Sequence, residues 1–372
     1  MHDQAKTPQD RQSGLEGLFS VAEASVAAYG AAAEQMVSRV NASLLGHSDV
    51  SDLLGPCPVD MMHDNHRNHA RFMLTVFDLN LPGLLRRVVP WVYRAYISRG
   101  FSPDYFPAEL RAWKEAVGKH VPEAEAQPIQ EVYQWMLDQH ENMLELARTQ
   151  EGGIAPPETW TDSNAALLRM LLAGDRHGAE EVVGNRLNRP DDLSEVYLGM
   201  VQPVMYRIGG LWERAEISVA QEHLATAIAS RLMTLAYRQV AVFNGKRGKA
   251  IVTAAASELH ELGPRIVADL LELAGWDVTF LGANMPTEEV RTVAAEMRPD
   301  FVAASATLPY HLRGVRDIAR AMRETPELSD TPLLAGGLAF SLAPEAKEAV
   351  GADAVARDAD QAVQLAGQLT RS

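Results

Sequence analysis

Residues 249–286 read KAIVTAAASELHELGPRIVADLLELAGWDVTFLGANMP, and this stretch decides the fold. Lys249–Ala255 is a short apolar run that predicts a buried strand. From Pro264 to Ala274 the apolar residues recur at helical spacing, and Asp277–Leu281 is again strand-like. The alternation continues to the C-terminus, with strands expected at Phe301–Ser305, Pro332–Ala335 and Ala354–Ala356. Helices are expected between them, at Thr287–Met297, Leu312–Arg323, Pro344–Val350 and Gln361–Leu369. Five βα units imply a doubly wound parallel sheet of the Rossmann or flavodoxin type. In such sheets ligands bind where loops leave the carboxyl ends of the strands. Glu258, His260 and Gly263 occupy such a loop.

Upstream the pattern is helical throughout. Helical periodicity covers Gly14–Leu45, Val59–Leu79, Pro82–Arg99, Ala108–Lys119 and Pro128–Arg148. Gln150–Pro157 (QEGGIAPP) has the composition of a linker. Four further helices are expected at Asn164–Leu172, Arg176–Asn188, Asp192–Trp212 and Val219–Phe243, enough for a bundle. The expected organisation is therefore an all-helical domain over 1–150, a four-helix block over 160–245 and the α/β domain over 246–372.

The 372 residues carry a net charge of −15, which argues against a nucleic-acid surface built on clustered Lys and Arg. The single cysteine, Cys57, rules out a disulfide framework or a CxxC metal site. The polar N-terminus lacks the apolar core of a signal peptide, and no stretch reads as a membrane span. A cytoplasmic setting is expected.

Three features fall at the carboxyl ends of successive strands: Glu258-x-His260-x-x-Gly263, then Ser305-Ala306-Thr307-Leu308, then Gly336-Gly337. Forty-one residues separate Gly263 from Ser305, and 28 separate Thr307 from Gly336. In this order and spacing they resemble the cobalamin-binding domain family, whose motif is Asp-x-His-x-x-Gly, Ser-x-Leu and Gly-Gly. The resemblance implies that His260 is the lower axial ligand of cobalt. It also implies that the displaced nucleotide tail of the cofactor lies beside Ser305, Thr307, Leu308, Gly336 and Gly337. Glu258 stands where the family has Asp, as acceptor for the imidazole nitrogen that does not bind metal. Thr307 stands where the family has Leu, with Leu308 following. Glycines let the backbone approach a flat ring closely.

The four-helix block contains LWERAEISVAQEHLATA, in which nine residues separate Trp212 from Glu222-His223. Read alone, this is a packed Trp and a solvated Glu-His pair. Beside a cobalamin domain it resembles the cap of light-sensing cobalamin regulators. There Trp, Glu and His surround the upper group of adenosylcobalamin, and light breaks the cobalt–carbon bond. The resemblance implies a switch of cap packing or assembly. In the DNA-binding members a His follows the Trp and takes the vacated upper site; here that residue is Glu213, which leaves water or another histidine for it.

Residues 1–150 hold 19 acidic and 13 basic residues, so a basic DNA-binding module is not expected. MMHDNHRNHARFMLTVFDLN spaces His63, His66 and His69 three apart, and the next helix carries Arg86, Arg87, Trp91 and Arg94. The plain reading is an amphipathic bundle with a polar face. The functional reading is a pocket for a second flat chromophore, with aromatics stacking and Arg side chains holding propionates. An all-helical block before such a cap resembles the photocobilins, in which a globin-like domain binding biliverdin precedes a light-sensing cobalamin domain. The resemblance implies His66 or His69 toward the pyrroles and Arg86, Arg87 or Arg94 toward the propionates. Cys57 as a covalent attachment point, and haem held by His120 or His140, are the alternatives.

The expected protein is thus a photoreceptor rather than an enzyme, binding adenosylcobalamin and biliverdin. It would signal to an unidentified downstream protein or through a light-dependent homo-oligomer. The alternative is the corrinoid subunit of a methyltransferase system, using the same His260. A cobalamin-dependent mutase, which needs a catalytic barrel of about 250 residues, finds no room.

Overall fold

The computed structural model describes residues 21–149, 161–240 and 247–370, and the chain divides into two units, Met1–Glu151 and Gly152–Ser372. The expected linker at 150–157 lies outside the described residues.

The first unit is helical. Its described helices are α1 (Glu23–Leu45), α2 (Val50–Leu54), α3 (Val59–Asp78), α4 (Gly83–Ile97), α5 (Tyr105–His120), α6 (Glu123–Asp138) and α7 (His140–Thr149). Tyr29, Ala32, Met36, Val40 and Leu44 form the buried stripe of α1, which packs against α3, α5 and α6, while α4 pairs with α7. The single helix expected over Pro128–Arg148 is two. α6 starts earlier, at Glu123, and accommodates Pro128; the chain leaves the helix at Gln139 and restarts with Met143 donating to the Gln139 carbonyl. No Gly or Pro marks that bend, which is why periodicity ran through it.

The second unit opens with the bundle, α8 (Asp162–Ala173), α9 (Arg176–Gly184), α10 (Asp192–Val196), α11 (Gln202–Glu213) and α12 (Val219–Val240). α9 is shorter than expected. The helix expected over Asp192–Trp212 carries a π-helical turn at Tyr197–Val201, joining α10 to α11. The cause is local: Pro203 has no N–H for the Gly199 carbonyl, and the buried Asn164 side chain donates to that carbonyl instead, at 2.9 Å.

The α/β part follows: β1 (Lys249–Ala254), α13 (Leu262–Leu273), β2 (Asp277–Gly282), α14 (Thr287–Met297), β3 (Phe301–Ser305), α15 (Leu312–Glu324), β4 (Leu333–Gly336), α16 (Leu338–Leu342), α17 (Ala346–Val350), β5 (Ala354–Ala356) and α18 (Ala359–Leu369). The five strands are parallel in the order β2-β1-β3-β4-β5, the doubly wound arrangement read from the sequence. The short α16 after Gly337 had no sequence signal. Ile266 and Leu270 of α13 and Ala359 of α18 join the apolar core of the bundle, while Ala268 and Leu271 of α13 pack with Val252, Phe301 and Leu334 of the strands in a second core. Among the described residues no helix is long and apolar enough to cross a membrane.

Candidate functional site

Strand register assembles the site. Ala254 of β1 pairs with Ser305 of β3, which pairs with Gly336 of β4, so the three motifs end on one edge of the sheet. The β1 loop then turns sharply. Ser257 and Asn284 both adopt left-handed backbone conformations, and the Asn284 side chain accepts from the Ser257 N–H at 2.7 Å. Such conformations persist only where surrounding contacts impose them. Here they tie the β1 loop to the β2 loop.

Glu258 is the hub of this edge. Its side chain is fully buried, at 0% exposure. Oε1 accepts from the His260 backbone N–H at 3.0 Å and from His260 Nδ1 at 2.5 Å. Oε2 accepts from the N–H of Thr307 at 2.6 Å, the N–H of Leu308 at 3.3 Å and Nδ1 of His311 at 2.8 Å. Burial alone would push this carboxyl up, but the bonds from His260 and His311 outweigh it and hold it well below the usual range. The bond from Glu258 in turn raises the pKa of His260.

With Nδ1 committed to Glu258, the neutral His260 ring carries its lone pair on Nε2, and its side chain is 56% exposed. Such a nitrogen can ligate a metal ion, and a carboxylate sets the tautomer in the way seen for metal-ligating histidines. Leu259 beside it is 74% exposed, an apolar side chain left at the surface. A Cβ on Gly263 would point into open space. Gly337 has φ +101°, and a Cβ there would meet the Ala306 carbonyl oxygen at 2.3 Å. A Cβ on Gly336 would approach the Ala356 carbonyl at 3.2 Å. Ser305, Thr307 and Leu308 are partly buried at the same edge, and the backbone amides of Thr307 and Leu308 already serve Glu258. That amide role and His311 were not read from the sequence. His311 lies outside the motif spacing, and only the turn after Leu308 swings it back to Glu258.

The bundle contributes its own side chains. Glu222 accepts from the Thr226 hydroxyl at 2.8 Å and pairs with His223 at 3.5 Å. His223 is 76% exposed. The charge of Glu222 adds to the upward shift of His260, after the contributions of Glu258. Trp212 is partly buried, whereas Glu213 is buried at 3% exposure.

In the helical unit, His66 and His69 do not line an open face. His66 is fully buried, with Nδ1 2.5 Å from Asn41 Oδ1 and Nε2 2.9 Å from the Tyr105 hydroxyl. His69 Nε2 lies 3.1 Å from the Tyr133 hydroxyl, which meets that of Tyr29 at 3.0 Å. Buried Glu109 completes the network, accepting from Asn65 at 3.2 Å and from Trp113 Nε1 at 3.3 Å. Desolvation pushes Glu109 up to about 8 and both histidines down to about 3. Arg86 stands over the Trp135 ring at 6.0 Å, Arg94 donates to the Ala147 carbonyl at 3.4 Å, Trp91 is partly buried and Arg87 is exposed. The expected histidine-rich polar face is thus, for His66, a buried network. The reason is that Tyr105 and Asn41 supply its partners from other helices. Cys57 donates to the Arg99 carbonyl at 3.1 Å, and His140 Nδ1 lies 3.2 Å from the Tyr93 hydroxyl.

Residues 248–366 match the family described as B12 binding domain, and residues 164–237 match a second family of the same description. The chain is 27% identical over 168 residues to the HTH-type transcriptional repressor CarH of Myxococcus xanthus, across 45% of this chain and 54% of that protein. It therefore spans about half the length of that relative. It is 27% identical over 166 residues to dimethylamine corrinoid protein 3 of Methanosarcina acetivorans, across 44% of this chain and 77% of that protein. Among solved structures, the Methanosarcina barkeri monomethylamine corrinoid protein aligns at 22% identity with a TM-score of 0.49, over 55% of this chain and 96% of that one.

Proposed function

From a chain that carries B12 binding domains over residues 164–237 and 248–366, we propose a light-sensing photoreceptor rather than an enzyme. His260 would hold the cobalt, and Trp212, Glu222 and His223 would lie against the adenosyl group of adenosylcobalamin. The bound cofactor supplies a cobalt–carbon bond that light cleaves. The protein's part is to present Nε2 of His260 in one tautomer, and Glu258 does this with a short bond to Nδ1. Ser305, Thr307, Leu308, Gly336 and Gly337 form the edge along which the nucleotide tail is received. The observation that carries the reading is the buried Glu258 carboxylate, which sets the His260 tautomer at the sheet edge where Ala254, Ser305 and Gly336 pair in register.

The helical unit is proposed to hold biliverdin. Its support is the resemblance of the architecture together with a core rich in His, Tyr and Trp. Contact with His66 requires its bonds to Asn41 and Tyr105 to break, which leaves His69 the better placed of the two. Output is proposed to pass through a change of conformation or oligomeric state to a partner protein in the cytoplasm.

A second reading, the corrinoid subunit of a methyltransferase system, is favoured by the similarity to dimethylamine corrinoid protein 3. One experiment separates the two. The purified chain is loaded in the dark with adenosylcobalamin and biliverdin, and its absorption is followed through green illumination. Loss of the alkyl-cobalt bands with a bound red-absorbing bilin is expected. Uptake of methylcobalamin but not adenosylcobalamin overturns the photoreceptor in favour of the corrinoid subunit. Trp212→Ala is expected to speed loss of the adenosyl group in the dark, and unchanged dark retention argues against the cap assignment.

A further inference from the structure

The bundle helix that carries Trp212 is not wound uniformly. At Tyr197–Val201 it makes one π-helical turn, and the Gln202 N–H donates five residues back, to the Tyr197 carbonyl. A π turn takes up one residue more than an α turn, so the helix after it is rotated by about 100° relative to an uninterrupted one. We propose that this turn sets the direction in which Trp212 is presented, with Asn164 and Pro203 as the positioning residues that hold it. The inference rests on the reading that Trp212 lies against the adenosyl group.

Named side chains impose the turn. Pro203 lacks the N–H that would close an α-helical bond on the Gly199 carbonyl. Asn164 Nδ2 supplies that bond from α8, at 2.9 Å, and Asn164 is 1% exposed. Asn164 is itself oriented, because the Thr161 hydroxyl donates to its Oδ1 at 2.5 Å and accepts from its backbone N–H at 3.2 Å. That leaves the amide nitrogen for Gly199. At the start of the turn the fully buried Tyr197 places its hydroxyl 2.7 Å from Asp269 on α13 and 3.0 Å from the Met233 carbonyl on α12. The turn is thus tied to three other helices.

The rotation decides which residue faces out. Leu211 and Glu213, on either side of Trp212, are buried, and Trp212 between them is partly exposed. Wound as an α-helix from Tyr197 onward, the same sequence would advance by one residue around the axis. Leu211 would then take the direction Trp212 has now, and Trp212 that of Glu213. Val204 and Ile208, which share the buried stripe of α11 with Leu211, would leave the core with it.

The test titrates the full chain in the dark with adenosylcobalamin and with hydroxocobalamin, which lacks the adenosyl group, and melts the cofactor-free protein. Trp212→Ala is the control, expected to weaken adenosylcobalamin while hydroxocobalamin stays within about twofold of wild type. If that control weakens neither cobalamin, or both alike, the cap reading itself fails and the inference with it. With the control in place, Asn164→Leu is expected to melt earlier and to bind adenosylcobalamin about tenfold more weakly, the size of one lost aromatic contact. Its hydroxocobalamin affinity is expected to hold. Pro203→Ala returns an N–H that competes for the Gly199 carbonyl, so its melting temperature is expected to hold or rise while adenosylcobalamin affinity falls. A purely structural role for the turn does not give that pair of results. Should the leucine variant not fold, Pro203→Ala decides alone. Wild-type preference for adenosylcobalamin in Pro203→Ala overturns the proposal, and so does equal weakening of both cobalamins in Asn164→Leu.

Discussion

Tyr197 of the bundle places its hydroxyl 2.7 Å from Asp269 on α13, the helix that begins two residues after His260, and 3.0 Å from the Met233 carbonyl. The hydroxyl donates to Asp269 Oδ2, the shorter of the two contacts, and shares its proton with the Met233 carbonyl. Burial raises the Asp269 carboxyl to about 6, against the opposing pull of Tyr197 and Arg265 and with help from Glu272. The Tyr237 hydroxyl pairs with Glu272 one turn further along, and Arg265 donates to Thr234. The helix that carries the His260 loop is thereby pinned to the bundle along its length.

The sign of the pH dependence follows from that raised value. The folded state binds the Asp269 proton more tightly than the unfolded state, so its contribution favours folding at low pH. That contribution is lost as pH climbs from about 4 to about 6, and it amounts to at most about 3 kcal/mol. Asp269→Asn is expected to flatten the stability–pH curve of the second unit in this window. Denaturant unfolding of both proteins between pH 4 and 7 checks it, and parallel curves would rule the account out.

Glu109 makes the corresponding prediction for the helical unit. Its carboxyl, raised to about 8 by burial, favours folding below its unfolded value and loses that advantage as pH rises toward 8. His66 and His69, lowered to about 3, act at the other end, since stability is lost as pH falls below their unfolded value and they must charge. Glu109→Gln is expected to stabilise the unit at pH 8 and above by a few kcal/mol. Melting at pH 6 and pH 9 measures it, and an equal shift at both would remove the titration from the explanation.

Two glycines at the sheet edge are expected to separate folding from binding. Gly337→Ala forces a Cβ to 2.3 Å from the Ala306 carbonyl at φ +101°, a cost of about 2–4 kcal/mol. Gly263→Ala meets nothing within 4 Å beyond its chain neighbours, and because Pro264 follows, any gain in helix propensity is offset and the cofactor-free melting temperature is expected to change little. Cobalamin affinity is nevertheless expected to fall, because the new methyl enters the open space beside His260. Undiminished affinity in Gly263→Ala would mean that the space is not used by the cofactor.

Glu258→Asp restores the residue of the family motif and is expected to weaken binding here, not improve it. Oε2 reaches Thr307, Leu308 and His311 in a loop built around the longer side chain. A shortened carboxylate keeps His260 or the β3 loop, not both. Cobalamin titration of this variant beside wild type decides the matter, and equal affinity would show that the loop adapts.

Much of the architecture was legible in the chain, because backbone periodicity reports local burial. The apolar run Lys249–Ala255 and its four successors appear as the strands of a parallel sheet, and the spacing of His260, Ser305 and Gly336 implies the single sheet edge on which the register places the three motifs. Periodicity was blind where no residue type marks the event, as at the bend after Asp138 and the short α16. It also missed the π turn, although Pro203 is its visible cause.

What only the tertiary structure decided is which polar groups meet. The sequence set His66 and His69 three apart on a helix, but whether that face was open or buried depended on Asn41, Tyr105, Glu109 and Tyr133, which come from other helices. Likewise the motif named Glu258 as partner of His260, while the second imidazole on the same carboxylate, His311, is 53 residues away. A buried carboxylate gathers every donor within reach to offset its desolvation, and reach is set by the fold, not by spacing along the chain.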